Sequence, residues 1–333
     1  MSSESKQAKK TVSDHWVGFD LGGTKMLATV FDAGFKPLGQ SKKKSKGHEG
    51  SDAGLERICR IIREALLEAN VEPKQVAGIG IGCPGPLDLA TGVLKEAPNL
   101  GWNNVPVQKH LQDEFACPVV VANDVDAGVF GEYQFGAGRG ARCVVGIFPG
   151  TGIGGGCVYE GKIFQGSNCT CMEIGHIPMM AEGPLDGCNN PGSLEAIASR
   201  LAISASAAQA AYRGQAPYLL ENAGTDIKNI RSGALATSVE KDDSVRAIVA
   251  HAATQIGLGV VTLVHLLAPD VIVLGGGLVE AMPDFLCKQI EKTVQKRVLP
   301  SFKNVFTIKV AELGDDATVR GAAAWAKTKC ENT

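Results

Sequence analysis

The sequence predicts a duplicated α/β architecture, because one strand–glycine turn–strand pattern occurs twice along the chain. The first turn reads Asp-Leu-Gly-Gly-Thr-Lys at residues 20–25, and the second reads Gly-Thr-Gly-Ile-Gly-Gly-Gly at residues 150–156. Each turn lies between runs of β-branched and apolar residues, which is typical of paired strands. Neither turn opens a helix, so neither fits a P-loop or a dinucleotide-binding βαβ unit.

Both turns also indicate a site for phosphate groups. Glycines carry no Cβ, so successive backbone N–H groups can converge on an anion without obstruction. Two such hairpins predict an α/β protein that closes around the phosphates of a nucleotide.

The other elements follow from hydrophobic periodicity and from the positions of Gly and Pro. In chain order, the sequence predicts a third strand near residues 37–40, a helix at 54–69, a buried strand at 76–82, a proline-fixed turn at 83–88, a helix at 105–115, a buried strand at 118–123, a helix at 126–135, Ala-rich helices at 193–215 and 244–267, a strand at 271–274, a helix at 283–298, a strand at 306–310 and a closing helix at 316–328.

The length of 333 residues suits two domains of ordinary size. We predict a disordered tail at residues 1–14 and a small α/β domain at 15–122, to which a C-terminal helix at 317–333 returns. A large α/β domain is predicted at 123–316.

Composition and charge exclude several classes of protein. The net charge of -2 supplies no basic field for nucleic acid. No stretch approaches the ~20 continuous apolar residues of a membrane helix, and the polar N-terminus lacks the apolar core of a signal peptide. The ten cysteines are scattered through the chain, which favours reduced thiols in a cytoplasmic protein.

Asp124 is the strongest candidate for a catalytic group. It directly follows an apolar strand and precedes a helix, and ligands of open α/β sheets bind at the carboxyl ends of strands. A carboxylate there can accept a proton from a substrate hydroxyl during phosphoryl transfer. Asp20 has the equivalent place after the first strand, where it could hold a Mg²⁺-bound water. The alternative for a lone Asp at a strand end is a helix N-cap.

The ordered motifs of the chain resemble the ROK family, which contains bacterial sugar kinases, notably glucokinases, and related repressors. The motifs are Asp20 to Lys25, Cys83-Pro84-Gly85-Pro86, Asn123-Asp124, Gly150 to Gly156, Glu173-Ile174-Gly175-His176 and Gly275-Gly276-Gly277. The resemblance extends from about Trp16 to Lys327. It implies the two-domain actin-like ATPase (ribonuclease H-like) fold, in agreement with the duplicated hairpins.

The resemblance also implies roles for individual residues. Asp124 matches the general base. The sugar-binding positions are Asn99, Asn123, Asp124, Glu173, His176 and Glu195. The ATP- and phosphate-binding positions are Asp20, Gly22, Gly23, Thr24, Lys25, Gly150, Thr151, Gly152, Gly275, Gly276 and Gly277. ATP and Mg²⁺ are the implied cofactors, and a homodimer is expected.

The chain departs from the family at its structural zinc site. The family pattern is Cys-x-Cys-Gly-x-x-Gly-Cys-x-Glu with an upstream His, but here Asp186 and Ser193 replace two of the thiolates. Only Cys188 and His176 remain as strong ligands, so we predict that no structural zinc is bound. The alternative is a displaced site formed by Cys169, Cys171, His176 and Cys188.

The sequence therefore predicts an ATP-dependent hexose kinase, with glucose as the expected substrate and Asp124 as the base. Alternatives are kinases for mannose, fructose, N-acetylmannosamine or N-acetylglucosamine. A sugar-sensing regulator of the same family is a further alternative. It is disfavoured because about fifteen residues precede the first strand, too few for a helix-turn-helix module.

Overall fold

The computed structural model describes residues 14–167 and 170–331. They form two compact units, of which unit 1 contains residues up to Ala127 and from Thr318 onwards, and unit 2 contains Gly128–Ala317. Apart from Asp14, the predicted N-terminal tail lies outside the described residues.

The strands are short and most of them are apolar. In chain order they are β1 (His15–Leu21), β2 (Lys25–Phe31), β3 (Pro37–Lys44), β4 (Val76–Cys83), β5 (Leu87–Asp88), β6 (Val93–Ala97), β7 (Trp102–Val105), β8 (Val119–Asn123), β9 (Cys143–Pro149), β10 (Ile153–Tyr159), β11 (Lys162–Ile163), β12 (Val271–Leu274) and β13 (Thr307–Val310).

The α-helices alternate with these strands and dominate the second half of the chain. They are α1 (Ser51–Glu68), α2 (Val107–Phe115), α3 (Asp124–Phe135), α4 (Leu194–Ala198), α5 (Arg200–Tyr212), α6 (Pro217–Ala223), α7 (Ser232–Lys241), α8 (Asp243–Leu267), α9 (Gly276–Ala281), α10 (Pro283–Arg297) and α11 (Ala317–Glu331).

Unit 1 is built on a five-stranded sheet of order β3-β2-β1-β4-β8. The β1–β2 hairpin is antiparallel, whereas β4 and β8 extend the sheet in parallel. A core of apolar side chains from α1, α2 and the sheet includes Phe19, Ile58 and Leu111. Helix α11 packs on the strands through Val319 and Ala323.

Glycine allows α11 to lie close to the sheet. A Cβ added at Gly18 would lie 1.8 Å from the carbonyl oxygen of Val319, and one at Gly80 would lie 1.8 Å from that of Ala322. Any other residue at these two positions would therefore push the helix away. Helix α11 belongs to unit 1 from Thr318 onwards.

Unit 2 repeats this topology in its own five-stranded sheet, of order β11-β10-β9-β12-β13. The β9–β10 hairpin is antiparallel, and β12 and β13 extend the sheet in parallel. Its core includes Val145, Ile256 and Leu274. The duplicated strand–glycine turn–strand hairpins predicted from the sequence are thus the central hairpins of two matching sheets.

The boundaries between the two units in the sequence differ by a few residues from the predicted ones. The structure changes units after Ala127, within α3, and again before Thr318. The predicted changes were after residue 122 and before residue 317. Asn123 pairs with Cys83 in the β4–β8 ladder, and the Thr318 hydroxyl donates to the carbonyl oxygen of Asp124 at 3.3 Å. These contacts attach Asn123 and Asp124 to unit 1 and not to the predicted large domain.

Among the described residues, α8 is the one helix that is long and apolar enough to cross a membrane by length and composition alone. Its side chains Val249, Ile256 and Val260 are buried in the core of unit 2. It packs against α4, α5, α7 and α10. We therefore interpret α8 as a core helix.

Candidate functional site

The first glycine turn, between β1 and β2, is closed by a backbone hydrogen bond of its own and is stabilised by a buried serine. The Gly22 N–H donates to the carbonyl oxygen of Lys25 at 3.0 Å, and the Ser45 N–H donates to that of Thr24 at 3.0 Å. The buried Ser45 hydroxyl also donates to the carbonyl oxygen of Gly22. Gly23 and Thr24 are exposed, so the tip of the turn is open to a ligand.

Asn99 lies beside this turn. A Cβ added at Gly23 would lie 3.1 Å from the Cβ of Asn99. Both residues are exposed. The structure thus brings a predicted sugar-binding residue next to a predicted phosphate-binding residue of the same unit.

Asp20 and Asp124 lie at the same edge of the unit 1 sheet. Asp20 pairs with Gly82 at the end of β4, and Asn123 pairs with the next residue, Cys83. Burial raises the pKa of the Cys83 thiol well above its usual value, and the nearby carboxylates of Asp124 and Asp20 raise it further. The carboxyl ends of parallel strands form the ligand-binding edge of an α/β sheet, and both predicted carboxylates are there.

Asn123, and not Asp124, caps helix α3. The Oδ1 atom of Asn123 accepts hydrogen bonds from the N–H groups of Val125 (2.9 Å) and Asp126 (3.2 Å). The Oδ1 of Asp124 accepts a hydrogen bond from the N–H of Val125, at 2.9 Å. The capping alternative for a polar residue at this strand end therefore applies to Asn123. Its side-chain NH₂ group is a donor that capping does not use.

The second glycine turn, between β9 and β10, is held by a candidate ligand. The N–H of Ile153 donates to Glu195 Oε2 at 2.9 Å, and the Gly150 N–H donates to the carbonyl oxygen of Gly152 at 2.7 Å. A Cβ added at Gly152 would lie 2.2 Å from Glu195 Oε2. The carboxylate therefore occupies the place that a side chain at this position would need.

Arg200, the first residue of α5, also contacts this turn. Its N–H donates to the carbonyl oxygen of Gly150 at 2.9 Å, and its guanidinium donates to Thr151 Oγ1 at 2.6 Å. Burial and the nearby Arg231 guanidinium lower the pKa of Arg200. A positive group thus contacts the predicted phosphate ligand Thr151, and a second one lies near the first.

The third glycine run follows β12 and lies against the end of β9. The Gly275 N–H donates to the carbonyl oxygen of Ile147 at 3.1 Å. Gly276 has a φ of +78°, and a Cβ there would lie 3.0 Å from the carbonyl oxygen of Pro149. Gly277 lies one residue further along, in the first turn of α9. The run therefore lies beside the second glycine turn in unit 2.

Glu173 and His176 are presented by one 3₁₀ turn, Ile174–His176. The exposed Glu173 accepts a hydrogen bond from the Thr170 hydroxyl at 3.3 Å. The Nδ1 atom of His176 lies 2.8 Å from Asp186 Oδ2. Because an ionised carboxylate only accepts hydrogen bonds, Nδ1 carries a hydrogen, and Nε2 lies 3.9 Å from the Sγ atom of Cys188.

Asp186 is the centre of a hydrogen-bonded cluster. Oδ1 accepts from the N–H groups of Cys188 and Asn190, each at 2.9 Å, and Oδ2 accepts from the Ser193 hydroxyl at 2.7 Å. Burial raises the pKa of Asp186, but the hydrogen bonds from His176, Ser193 and the two N–H groups outweigh this effect. They hold the pKa below its usual range.

The predicted alternative metal site is only partly described. Cys169 lies outside the described residues, and Cys171 Sγ donates to the carbonyl oxygen of Phe164 at 3.0 Å. Within the described ranges, the one cluster of three or more possible ligands consists of His176, Asp186 and Cys188. Cys171 does not belong to it.

Three residues with a part in the site escaped the sequence analysis, namely Ser45, Arg57 and Arg200. The Arg57 guanidinium is buried and donates to the carbonyl oxygen of Ser45 at 2.6 Å, below the first turn. For each of the three, the sequence contains only a weak indication of this role. For Arg200 it was a basic residue directly after Ser199, which caps α5.

Two sheets with matching hairpins and strand-end carboxylates define the class of this protein, which has the actin-like ATPase fold of sugar kinases. Residues 16–329 match the ROK family, to which the chain belongs.

Glucokinases are among its most similar relatives. A glucokinase of Halalkalibacterium halodurans is 31% identical over 97% of this chain and 98% of its own length. A glucokinase of Streptomyces coelicolor is 32% identical over 93% of this chain and 97% of its own length.

The solved structures include kinases and a regulator. A ROK family glucokinase from Streptomyces griseus, in complex with glucose and AMPPNP, superposes with a TM-score of 0.81 at 28% identity, covering 94% of this chain and 99% of that one. A ROK family transcriptional regulator, a homologue of Mlc from E. coli, gives 0.82 at 23% identity, covering 95% of this chain and 78% of that one. The second likeness concerns the fold alone.

Proposed function

We propose that the protein transfers the γ-phosphoryl group of ATP to a hydroxyl of a hexose, with glucose as the substrate and glucose 6-phosphate as the product. The observation that carries this proposal is Asp124 at the carboxyl end of β8, near Asp20 at the end of β1. Family membership and the glucokinase relatives support the same reaction.

Asp124 is the proposed general base. Its carboxylate accepts the proton of the sugar hydroxyl as the hydroxyl oxygen attacks the γ-phosphorus, and the bond from that phosphorus to the oxygen of ADP breaks. Such a base contributes ~10²–10⁴-fold to the rate, and the remainder comes from positioning and charge neutralisation.

The glycine turns are the proposed phosphate ligands. The exposed tip at Gly23 and Thr24 in unit 1 and the turn at Thr151 in unit 2 offer N–H groups and hydroxyls. Gly275 to Gly277 is the proposed contact for the adenosine. Asp20 fits a Mg²⁺ bound through water, since carboxylates at a strand end suit this ion. Mg²⁺ neutralises charge on the transferred phosphate when it is bound.

The proposed sugar ligands present acceptors and donors that match a ring of hydroxyls. They are Asn99, Asn123, Asp124, Glu173, His176 and Glu195. A site that pairs with each hydroxyl strongly rejects analogues that lack one of them.

A sugar-responsive regulator is the second candidate function, because the fold is shared with the Mlc homologue. A protein that only senses sugar needs neither two phosphate turns nor a base at Asp124. This argument favours the kinase. Kinases for mannose, fructose, N-acetylmannosamine or N-acetylglucosamine remain alternatives within the enzyme class.

A coupled assay of ADP release across these sugars tests the proposal. We expect the highest kcat/KM with glucose, and activity that requires Mg²⁺ and ATP. If only another sugar were turned over, that sugar and not glucose would be the substrate. If no sugar gives turnover but glucose still binds in calorimetry, the regulator is supported.

Asp124→Asn tests the base directly. The amide keeps the size of the side chain but cannot take the proton, so kcat should fall ~10²–10⁴-fold while glucose still binds. Asp113→Asn is the control, because Asp113 is an exposed carboxylate of α2 that pairs with Lys109. More than a tenth of wild-type turnover in Asp124→Asn would contradict the assignment.

We further propose a cytoplasmic enzyme of carbohydrate metabolism, as expected for a kinase that draws on cellular ATP. A homodimer stays a prediction, which sedimentation equilibrium would test.

A further inference from the structure

The loop between His176 and Glu195 contains the four positions at which the resemblance implies a structural zinc. In this chain the four side chains are an imidazole, a carboxylate, a thiol and a hydroxyl, from His176, Asp186, Cys188 and Ser193. A closed zinc site normally has four nitrogen or sulfur ligands. A serine hydroxyl is not among the usual zinc ligands, so this donor set fits zinc poorly.

The geometry of Asp186 argues against a metal in a second way. An ionised carboxylate has about four lone-pair positions on its two oxygens. Asp186 uses all of these for protein donors, which are the N–H groups of Cys188 and Asn190, the hydroxyl of Ser193 and Nδ1 of His176. A cation would have to displace donors from a carboxylate whose side chain is 0% exposed.

The same carboxylate contacts one candidate sugar ligand of this loop, His176, and is connected to the other, Glu195, through Ser193. It holds the ring of His176 through Nδ1, while Nε2 lies 3.9 Å from the Sγ atom of Cys188. It also accepts from the Ser193 hydroxyl, which in turn accepts from the Ala196 N–H and thereby caps α4. Glu195 lies in the first turn of α4.

A third contact completes the connection. The N–H of Gly187, the residue after Asp186, donates to Glu195 Oε1 at 3.3 Å, while Oε2 accepts from Ile153. Glu195 is thus fixed between the loop and the second glycine turn, and the loop is fixed by Asp186.

We propose that Asp186 replaces zinc in this chain as the group that organises the loop, and that it positions His176 and Glu195 for the sugar without contacting it. The proposal that Asp186 organises the loop in place of zinc is independent of the activity. The proposal that it positions the sugar ligands rests on the proposed kinase function. Asp186 is therefore a positioning residue. Its replacement should change the kinetic constants for the sugar and not those for ATP.

Elemental analysis of protein purified without a metal-affinity tag tests the first part. We expect wild type to hold less than about one-tenth of an equivalent of zinc per chain, and its unfolding midpoint to be unchanged by a chelator. The double variant Asp186→Cys, Ser193→Cys supplies two further thiolates and should bind about one equivalent. One zinc per chain in wild type, lost together with stability on chelation, would overturn the proposal.

Asp186→Asn tests the second part. The amide retains one acceptor oxygen but cannot serve all four donors, so we expect KM for glucose to rise about tenfold with KM for ATP unchanged. Asp226→Asn is the control, because Asp226 also accepts a hydrogen bond from a backbone N–H, that of Lys228, and is not a candidate ligand of the site. A glucose KM that changes no more than in the control would refute the positioning role.

The two failures can be told apart. Absence of turnover in wild type would count against the kinase function. The zinc content and the chelator test would still decide whether Asp186 replaces the metal. Should Asp186→Asn prove too unstable to assay, Ser193→Ala removes one donor of the cluster and should raise KM for glucose about threefold on the same argument.

Discussion

The two glycine turns have the same topology but are held by different kinds of residue. In unit 1 the turn rests on the Ser45 hydroxyl and backbone, and Ser45 is held in turn by Arg57. Both side chains are buried, and neither is a candidate ligand. In unit 2 the turn is held by Glu195 and Arg200, which are partly exposed, and Glu195 is itself a proposed sugar ligand.

In each unit, this difference indicates whether the residues that support the glycine turn are also proposed to bind a substrate. In unit 1 the supporting residues can change without removing a ligand group. In unit 2 the proposed sugar ligand Glu195 also shapes the phosphate turn. A change at either place should therefore affect both substrates, which is a direct physical route for coupling between sugar and ATP.

Gly152→Ala should have the largest effect among changes to the turns. The added Cβ would lie 2.2 Å from Glu195 Oε2, closer than atoms can approach, so the carboxylate must leave the Ile153 N–H. Displacement of a positioned group by about 1 Å can cost ~10²-fold, and we expect this loss in kcat/KM for glucose and for ATP alike.

Gly233→Ala is the control for this variant, because a Cβ there has no neighbour within 4 Å. It should behave as wild type in both titrations. A Gly152→Ala enzyme that loses affinity for ATP but not for glucose would contradict the coupling through Glu195.

Much of the fold could be predicted from local sequence. The strands of both hairpins are continuous apolar runs next to Gly turns, and their duplication was visible without any contact information. The three-stranded sheet β5-β6-β7 was missed, because its strands have only 2, 5 and 4 residues. Runs that short carry little periodicity, and pairing across the sheet decides their structure.

The site could be predicted where a residue stands at the end of an element, as with Asp20 and Asp124. It could not be predicted where a side chain acts across the fold. Arg57 lies inside a helix pattern and looks like a solvated residue, yet its guanidinium is buried below the first turn. Asp186 stood in a zinc position, and nothing local showed that it accepts four hydrogen bonds.

Arg200→Met should have an intermediate effect that is confined to ATP. The guanidinium contacts Thr151 Oγ1 and lies near Arg231, so we expect it to add a charged contact to a bound phosphate. Loss of such a contact should raise KM for ATP about tenfold and leave KM for glucose unchanged. Arg213→Met, at the other end of α5, is the control. An equal rise in both KM values would show that Arg200 only supports the turn.

Ser45→Ala should have the smallest effect, and it tests the separation proposed for unit 1. The change removes the hydroxyl that donates to the carbonyl oxygen of Gly22 but keeps the Ser45 N–H bond to Thr24. Loss of one such hydrogen bond costs about 1 kcal/mol. Unfolding by urea should show this loss, while KM for ATP rises about twofold to threefold because the exposed tip keeps its own N–H groups. Ser41→Ala is the matched control, since the Ser41 hydroxyl donates to Glu64 and not to the turn. A tenfold rise in KM for ATP in Ser45→Ala but not in Ser41→Ala would show that support and binding are as closely joined in unit 1 as in unit 2.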